Sequence, residues 1–467
     1  MKLKITALLF SFIFISYNIS AQQMLGISNS NYSGTDALYL NPSFVSGSPY
    51  KLFIKLFSMQ MGMNNNYVKF TGSIYGSNLV FDETTLQQNK NGKPKMANIY
   101  TDIRLPSFMF KVNSKIDVGL ITRNRFLVQG SNISEIIAEQ LVNNSNADKY
   151  LNTLNQNTNL NLNVNLFSEI GVVYGHKILE TEQHIIRGGI TLKHLVGVYS
   201  AHLNSQDLTF TLNKEFSKTS EQTVANIQHI NVNYGYTNWV GNRGSLSDWL
   251  TSSGMPGKGW GADLGLSYEN RKSSDDDYTF KLGLALVDIG SIKYKSDQDV
   301  FNYSIERSNK KLTLDDVNKA YNSSADSIVH TFNQVLNVQP SEKSNSFKSG
   351  LPTSLNLTFD YKIVKKIYVN ATLIQNVRSK TAISTRQNSL FSVTPRVQMK
   401  GFEFSLPLIL MNNYKNFALG TALRFGPLYV GSDNVAGLLG ISKPYGLDFY
   451  FGMRFGFFNK KKVDAAE

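Results

Sequence analysis

From Asn159 to Tyr174 the chain reads NLNLNVNLFSEIGVVY, a strict alternation of amides and aliphatics. Successive side chains of an extended strand point to opposite faces, so Leu160, Leu162, Val164, Leu166, Ile170, Val172 and Tyr174 share one face. Asn159, Asn161, Asn163, Asn165, Glu169 and Gly171 share the other. Strands of soluble sheets usually stop at about five or six residues. At roughly 3.3 Å per residue, this one reaches about 50 Å, or nearly 40 Å when tilted by about 40°, enough to cross a bilayer with overhang.

The pattern recurs along the chain. Trp260, Ala262, Leu264, Leu266 and Tyr268 alternate with Gly259, Gly261, Asp263, Gly265 and Ser267, and Leu355, Leu357, Phe359 and Tyr361 oppose Asn356, Thr358, Asp360 and Lys362. Phe402, Phe404, Leu406 and Leu408 oppose Glu403 and Ser405. In the last such run Phe449, Phe451, Met453, Phe455 and Phe457 oppose Tyr450, Gly452, Arg454 and Gly456. One soluble sheet has too little buried layer for so many long greasy faces, whereas lipid accepts them all around a closed cylinder. The fold class is therefore all-β: a transmembrane antiparallel β-barrel of about 14 strands.

Composition closes off the other classes. The 467 residues are 42% apolar with a mean hydropathy of −0.21, and after the first twenty no apolar run of eighteen occurs, which excludes a helical membrane bundle. The opening MKLKITALLFSFIFISYNISAQQ has two lysines, an apolar core and a small residue at Ala21, the form of an export signal. The chain has no cysteine, so neither a lipoprotein anchor nor a disulfide framework is expected. The net charge of +13 is scattered rather than gathered into a stripe, which argues against nucleic acid and for anionic outer-membrane lipid or lipopolysaccharide as the counter-charge.

No HExxH, nucleophile elbow, P-loop or dinucleotide fingerprint is present, so neither an enzyme nor a cofactor is expected. His176 and His184 flank a short connection where they could share a metal ion, although solvated rim histidines are the commoner case. His229 with Asp248 is the best pairing for a hydrolytic site, and sequence separation gives it no support.

Connections alternate short and long. Asn64 to Asn66, Ile363 to Lys366 and Asn412 to Lys415 read as tight turns; Ser77 to Asp102, Ser131 to Thr158, Thr237 to Lys258 and Ile289 to Gly350 read as long outer loops. That count sends the first strand, from Tyr50, downward from the outer rim, so that either a further strand is present or the preceding segment climbs through the lumen. Two loop inserts have helical spacing: one capped at Asn132 with Ile133, Ile136 and Ile137, the other capped by Thr313 and Asp316 with Val329, Phe332 and Leu336. Packing on their own loops is the simpler expectation for both stripes; lids are the sharper one.

The stretch ALYLNPSFV, Ala37 to Val45, resembles the Asn-Pro turn near the mature N-terminus of FadL-like long-chain fatty acid transporters and of PorV-type barrels of type IX secretion, with Ser43 where Ala is usual. Together with GADLGLSY, LALVDIGSIKY and RFGPLYVGSDN, it makes the chain similar to a domain-of-unknown-function family of barrels related to those transporters. The resemblance implies a luminal hatch bearing Asn41 and Pro42. The expected plan is then a signal over 1–21, a hatch over 22–49, a barrel over 50–458 and a polar tail over 459–467. By strand phase Glu169, Asp263, Asp360, Glu403, Arg424 and Arg454 face the lumen. The aromatic final strand resembles the signal read by the barrel assembly machinery, an expected partner. Passage or binding of a hydrophobic or amphipathic molecule gated by the hatch is the first functional expectation; a secretion or surface-assembly accessory with no transport through the lumen is the second.

Overall fold

The computed structural model describes residues 23–69, 87–143, 147–156, 159–216, 221–239, 253–272, 278–313, 325–439 and 445–458. Fourteen strand positions run up and down in sequence order and close on themselves. They are β1 (Tyr50–Asn65), β2 (Lys95–Arg104 and Ser107–Lys111), β3 (Ile116–Ile133), β4 (Asn161–Glu180) and β5 (His184–Phe216). Next come β6 (Glu221–Thr237 and Gly257–Arg271), β7 (Tyr278–Lys295 and Val300–Thr313), β8 (Ser346–Gly350 and Ser354–Val364) and β9 (Ile367–Asn376). The circuit ends with β10 (Leu390–Gln398), β11 (Phe402–Ser405 and Leu408–Met411), β12 (Asn416–Leu419 and Thr421–Phe425), β13 (Leu428–Ser432) and β14 (Gly446–Phe458). Closure is the antiparallel ladder of β1 with β14, from Tyr50 opposite Phe458 to Asn64 opposite Gly446.

Every backbone polar group of a spanning segment must be satisfied inside the protein, and a closed ladder does this without an edge. The alternation decides which face meets lipid. Leu266, Leu284, Leu357, Phe359, Phe404, Leu423, Phe451 and Phe455 are all exposed on the outer surface, whereas Asn161, Asn163, Asn356 and Glu403 on the opposite face are buried. The greasy exterior, polar interior and closed up-and-down topology are those of a transmembrane β-barrel, the form outer-membrane proteins take. Among the described residues no helix is long and apolar enough to cross a membrane.

The connections at one end are 112–115, 181–183, 272–277, 365–366, 399–401 and 426–427. All are shorter than the loops 66–94, 134–160 and 314–342 at the other end, so the first set marks the periplasmic side. This corrects the expected direction of the first strand. Asn64 to Asn66 is not a turn: β1 runs on to Asn65, and among the described residues between it and β2 the chain forms a small ribbon, Val68–Lys69 paired with Gln87–Gln88. Residues 70–86 lie outside the described residues. With no turn at Asn64 to Asn66, β1 rises from the periplasmic end.

A second correction concerns Thr237 to Lys258. Tyr236 pairs with Ala201 and Gly257 with Gly197, both on β5, so the two flanks occupy one strand position and the loop is an excursion within β6. The upper parts of β5, β6 and β7 continue beyond the rest of the wall as a tall three-stranded sheet. The helices Glu135–Asn143 and Ala325–Val335 pack on it through Ile136, Val329, Phe332 and Leu336, in one apolar cluster with Phe210, Ile230, Tyr234 and Tyr303. Asn132 and Ile133 belong to β3 rather than to a cap. Thr313 ends β7, and its expected partner Asp316 lies outside the described residues.

Gly452 on the inner face of β14 has no room for a side chain and makes a poor control position, because an added Cβ there would come within 2.6 Å of Ser58 Cβ and the Tyr429 ring. A sounder control for the outer face is a greasy replacement. Phe451→Asp and Phe455→Asp each put charge into the lipid-facing band, at a cost on the order of 2 kcal/mol near the midplane. Both are expected to lower the yield of heat-modifiable barrel in outer-membrane fractions, and Phe451→Leu to leave it near wild type. Equal yields for all three would place these phenylalanines away from lipid.

Candidate functional site

The lumen is occupied by the chain's own residues 23–49. They run as a helical turn, α1 (Leu25–Ser28), and two 3-10 turns, Gly34–Tyr39 and Pro42–Gly47, nearly all of it buried. A non-periodic stretch with Asn-Pro and Ser-Pro cannot join a ladder. It is held instead by side chains from the wall.

Asn41 fixes the lower turn. Its Oδ1 accepts hydrogen bonds from Ser43 N at 2.9 Å and Ser43 Oγ at 2.7 Å, capping the turn that Pro42 begins. Its Nδ2 donates to Leu266 O at 2.9 Å and Leu284 O at 3.3 Å, on neighbouring strands β6 and β7. An amide both accepts and donates, which neither Asp nor Ser does with that reach. Ser43, standing where the resembled motif has Ala, adds the hydroxyl bond. The wall opposite is bare for a reason: an added Cβ at Gly189 would lie 2.4 Å from Ser43 N, and one at Gly265 would lie 2.0 Å from Asn41 Oδ1.

Asp36 fixes the middle. Its carboxylate is fully buried and pairs with Lys55 of β1, with Arg104 Nη1 of β2 at 2.7 Å and with Arg454 Nη1 of β14 at 3.1 Å. The Tyr429 hydroxyl of β13 lies 3.3 Å away. Arg454 also donates to Ser33 O at 2.8 Å. Asp102 joins Arg104 to Arg123, and the Tyr39 ring lies 4.3 Å from the Arg104 guanidinium and 4.9 Å from that of Arg123.

The other expected residues fall into three further groups. Glu169 pairs with Arg125 at 2.6 Å, and Asp263 with Lys193 at 2.8 Å; Asp288 joins the two pairs, 2.7 Å from Arg125 and 2.6 Å from Lys193. Asp360 takes both ends of the Arg396 guanidinium at 2.6 Å and the Tyr278 hydroxyl. Glu403 accepts from Arg424 Nε at 3.1 Å and from Ser30 Oγ of the luminal segment at 2.7 Å.

Sequence reading missed Asp36, Asp288, Arg396 and the acid pair Asp433 and Asp448. Asp36 has no periodic context. Asp288 sits at φ 56 in a bulge where the register against β6 shifts, which throws it out of strand phase. Asp433 follows β13, and its Oδ2 accepts from Leu25 N of α1 at 3.2 Å.

Two features of the wall bear on passage. The loop 377–389 folds inward over the luminal segment: Asn161 donates to Ala382 O at 2.9 Å, Asn204 to Thr381 O at 2.6 Å and Gln129 to Arg386 O at 2.8 Å. Of the asparagine face of β4, Asn161 meets this loop's backbone, whereas Asn163 donates to Asn161 and Asn165 accepts from Ser200 and Ser349. Second, β13 is short. Its ladders join Thr421–Phe425 and Tyr450–Met453, and above Ser432 a helical turn, Val435–Leu438, lies between Asn416–Leu419 and the start of β14.

The histidines do not form a metal centre. His176 is bonded to Tyr174 at 3.2 Å and His184 to Tyr268 at 2.8 Å, not to one another. His229 lies 3.5 Å from Glu306, and Asp248 lies outside the described residues. Among the described residues no cluster of three or more metal-ligating acids and histidines occurs.

A family model described as a family of unknown function, DUF5723, matches residues 42–433. The chain belongs to that family. No curated protein matches this DUF5723 barrel. Among solved structures it is similar to the Pseudomonas putida toluene transporter TodX, at 10% identity and a TM-score of 0.42 over 95% of this chain and 99% of that one. The Ralstonia pickettii toluene transporter TbuX gives 9% and 0.40 over 92% and 98%. A Pseudomonas aeruginosa FadL homologue gives 11% and 0.33 over 95% and 99%.

Two expected outcomes test this geometry. Asp36→Ala leaves Lys55, Arg104 and Arg454 facing one another without their carboxylate, a loss of about 3–5 kcal/mol for a buried ion pair. It is expected to lower the temperature at which the purified barrel loses its folded gel mobility, whereas Tyr429→Phe changes it little. Gly189→Leu is expected to expel the Asn41-Pro42 turn and open residues 23–49 to added protease. Gly188→Leu, one residue away, points toward Ile178 and Leu266 on the outer face and should leave protection intact.

Proposed function

We propose that this barrel binds and passes hydrophobic or amphipathic small molecules across the outer membrane, with residues 22–49 as the gating hatch. The observation that carries the reading is how the luminal segment is held. It contributes no strand to the wall. Its polar fastenings are ion pairs and single hydrogen bonds, and its apolar residues pack on the wall in three separate small clusters, through Leu38 and Val45, through Leu25 and Leu40, and through Met24 and Ile27. Contacts divided in this way can be exchanged locally while the cylinder stays closed.

The loop 377–389 and the segment 23–49 both reach across the lumen, which suits a cargo that leaves water rather than a hydrophilic solute. The short β13 supplies the way out: where its ladder ends, the described wall continues as the helical turn Val435–Leu438, and Leu25 N of the hatch donates to Asp433 beside it. Nothing in this route calls for catalysis.

A second reading, a secretion or surface-assembly accessory, is favoured by the tall sheet of β5 to β7, where Phe216 is 86% exposed and Trp239 54%. Stable co-purification of secretion components through this sheet, with no small-molecule flux, would select it. For the first reading, planar-bilayer conductance of the intact protein is expected to be low and flickering, and clearly higher after deletion of residues 22–46. Uptake of a small aromatic hydrocarbon into proteoliposomes should exceed that of empty liposomes. A wide steady pore unchanged by the deletion would sink the hatch.

A further inference from the structure

Toward the periplasmic end, beneath the Asn41-Pro42 turn, a polar cavity of about 40 Å³ lies between hatch and wall. At roughly 10–15 Å³ per water it has room for about three. Ser30, Gly47 and Ser48 line it from the hatch, and Arg187, Ser267 and Lys281 line it from β5, β6 and β7. Arg187 and Lys281 stand close above the short connections 181–183 and 272–277.

The wall brings more positive charge to this cavity than it balances. Arg187 Nη1 pairs with Glu269 at 2.9 Å, and Arg271 takes the same carboxylate at 2.6 Å. Lys281 stands opposite Glu269 on one side and Asp360 on the other, and its ammonium reaches Asn31 Oδ1 of the hatch at 3.4 Å. Asp360 also lines the cavity, but both its oxygens are held by Arg396 at 2.6 Å. Four cations thus share two carboxylates. Asp117 of β3 faces Arg187 as well, and it faces Lys111 and Lys177 besides.

Two donors at the cavity are left over. Arg187 and Ser267 face each other in the register of β5 with β6 and are only 3% and 4% exposed. Neither Arg187 Nε nor Ser267 Oγ has a hydrogen-bond partner among the described residues. Arg187 Nε is turned to the hatch, since a Cβ added at Gly47 would lie 3.7 Å from it. Across the cavity Ser48 Oγ accepts from Tyr50 N at 3.3 Å, which leaves its own proton to give. A buried N–H without an acceptor is costly, and an anion satisfies it with a charge-assisted bond.

We infer that this cavity binds one small monovalent anion, chloride or its like, which accepts from Arg187 Nε, Ser267 Oγ and the Lys281 ammonium and latches the hatch to β5, β6 and β7. The inference rests on the hatch reading and names what holds the hatch shut from the periplasmic side. A carboxylate with a chain behind it does not fit a space of about three waters. Asn41 Nδ2 donates to Leu266 O, next to Ser267, so the anion and the Asn41 turn secure the same stretch of β6.

The competing account is that water alone fills the cavity, and water does not tell one salt from another. The test uses the full-length protein in nanodiscs, with chloride replacing gluconate, an anion too large for the cavity, at constant ionic strength. The readout is the rate at which added protease cuts residues 23–49, with casein as the blank for the protease itself. Cleavage is expected to slow along a saturable curve, about tenfold when chloride stands at ten times its half-saturating concentration. Bromide should act alike. Ser267→Asp sets a carboxylate beside Arg187 Nε in the anion's place, and it should be cut slowly in gluconate and be indifferent to chloride. Lys281→Gln, the second variant should the first fail to fold, is expected to raise the half-saturating concentration about tenfold, the worth of one charge-assisted hydrogen bond. If the segment resists protease in every salt, the temperature at which folded gel mobility is lost is read instead, against the same expectations. A readout indifferent to chloride, or a chloride effect that both variants keep unchanged, overturns the inference and leaves the hatch standing. Conductance that does not rise once the segment is cut overturns the hatch, and the latch with it.

Discussion

One carboxylate, Asp36, ties the first strand, the second and the last to the chain inside them. Lys55, Arg104 and Arg454 come from β1, β2 and β14, which meet at the seam where the barrel closes. Removing four charged groups from water costs several kcal/mol each, and only close pairing with further neighbours repays it. Asp102 and the Tyr39 ring complete that pairing, so the cluster is satisfied as a unit or not at all. The return is specificity of placement: no other position of residues 23–49 offers a carboxylate to these three cations, because Asp36 is the segment's one acid.

The rest of the interior follows from that placement. With Asp36 at the seam, Asn41 reaches the carbonyls of β6 and β7, and Ser30 reaches Glu403 on β11. The small residues of the wall fall where backbone must approach, as at Gly189 and Gly265. A wall side chain at either position would push the turn away and, through it, loosen the ion cluster of the preceding turn, Gly34–Tyr39.

Much of the wall was legible in the sequence because lipid on one side and polar contacts on the other impose a period of two that survives over many residues. That signal read the faces of β4, β6, β8, β11 and β14 correctly. It failed where the period is interrupted. The bulge at Asp288 shifts phase, the excursion within β6 imitates a loop between strands, and the polar run Asn64 to Asn66 imitates a tight turn where β1 runs on to Asn65. The partners of the charged residues were not legible at all. Glu169 meets Arg125 and Asp360 meets Arg396 only once barrel closure sets the register. Asp36, Asp433 and Asp448 announce themselves only by burial, since no spacing in the sequence marks an acid that is short of a base.

The closing ladder of β1 with β14 also dictates an order of events. β14 is the last strand to leave the ribosome and β1 the first, so the cylinder stays an open sheet until the chain is complete. Arg454, which holds the luminal segment at Asp36, and Tyr450, which bonds the Asp433 carboxylate that accepts from Leu25 N, lie on that final strand. The segment is therefore enclosed by the same zippering that seals the wall, like a letter folded in before the envelope is gummed. A chain that closed first would face the task of threading 23–49 past a sealed rim, and its Asp36 cations would have been buried without their counter-charge in the meantime.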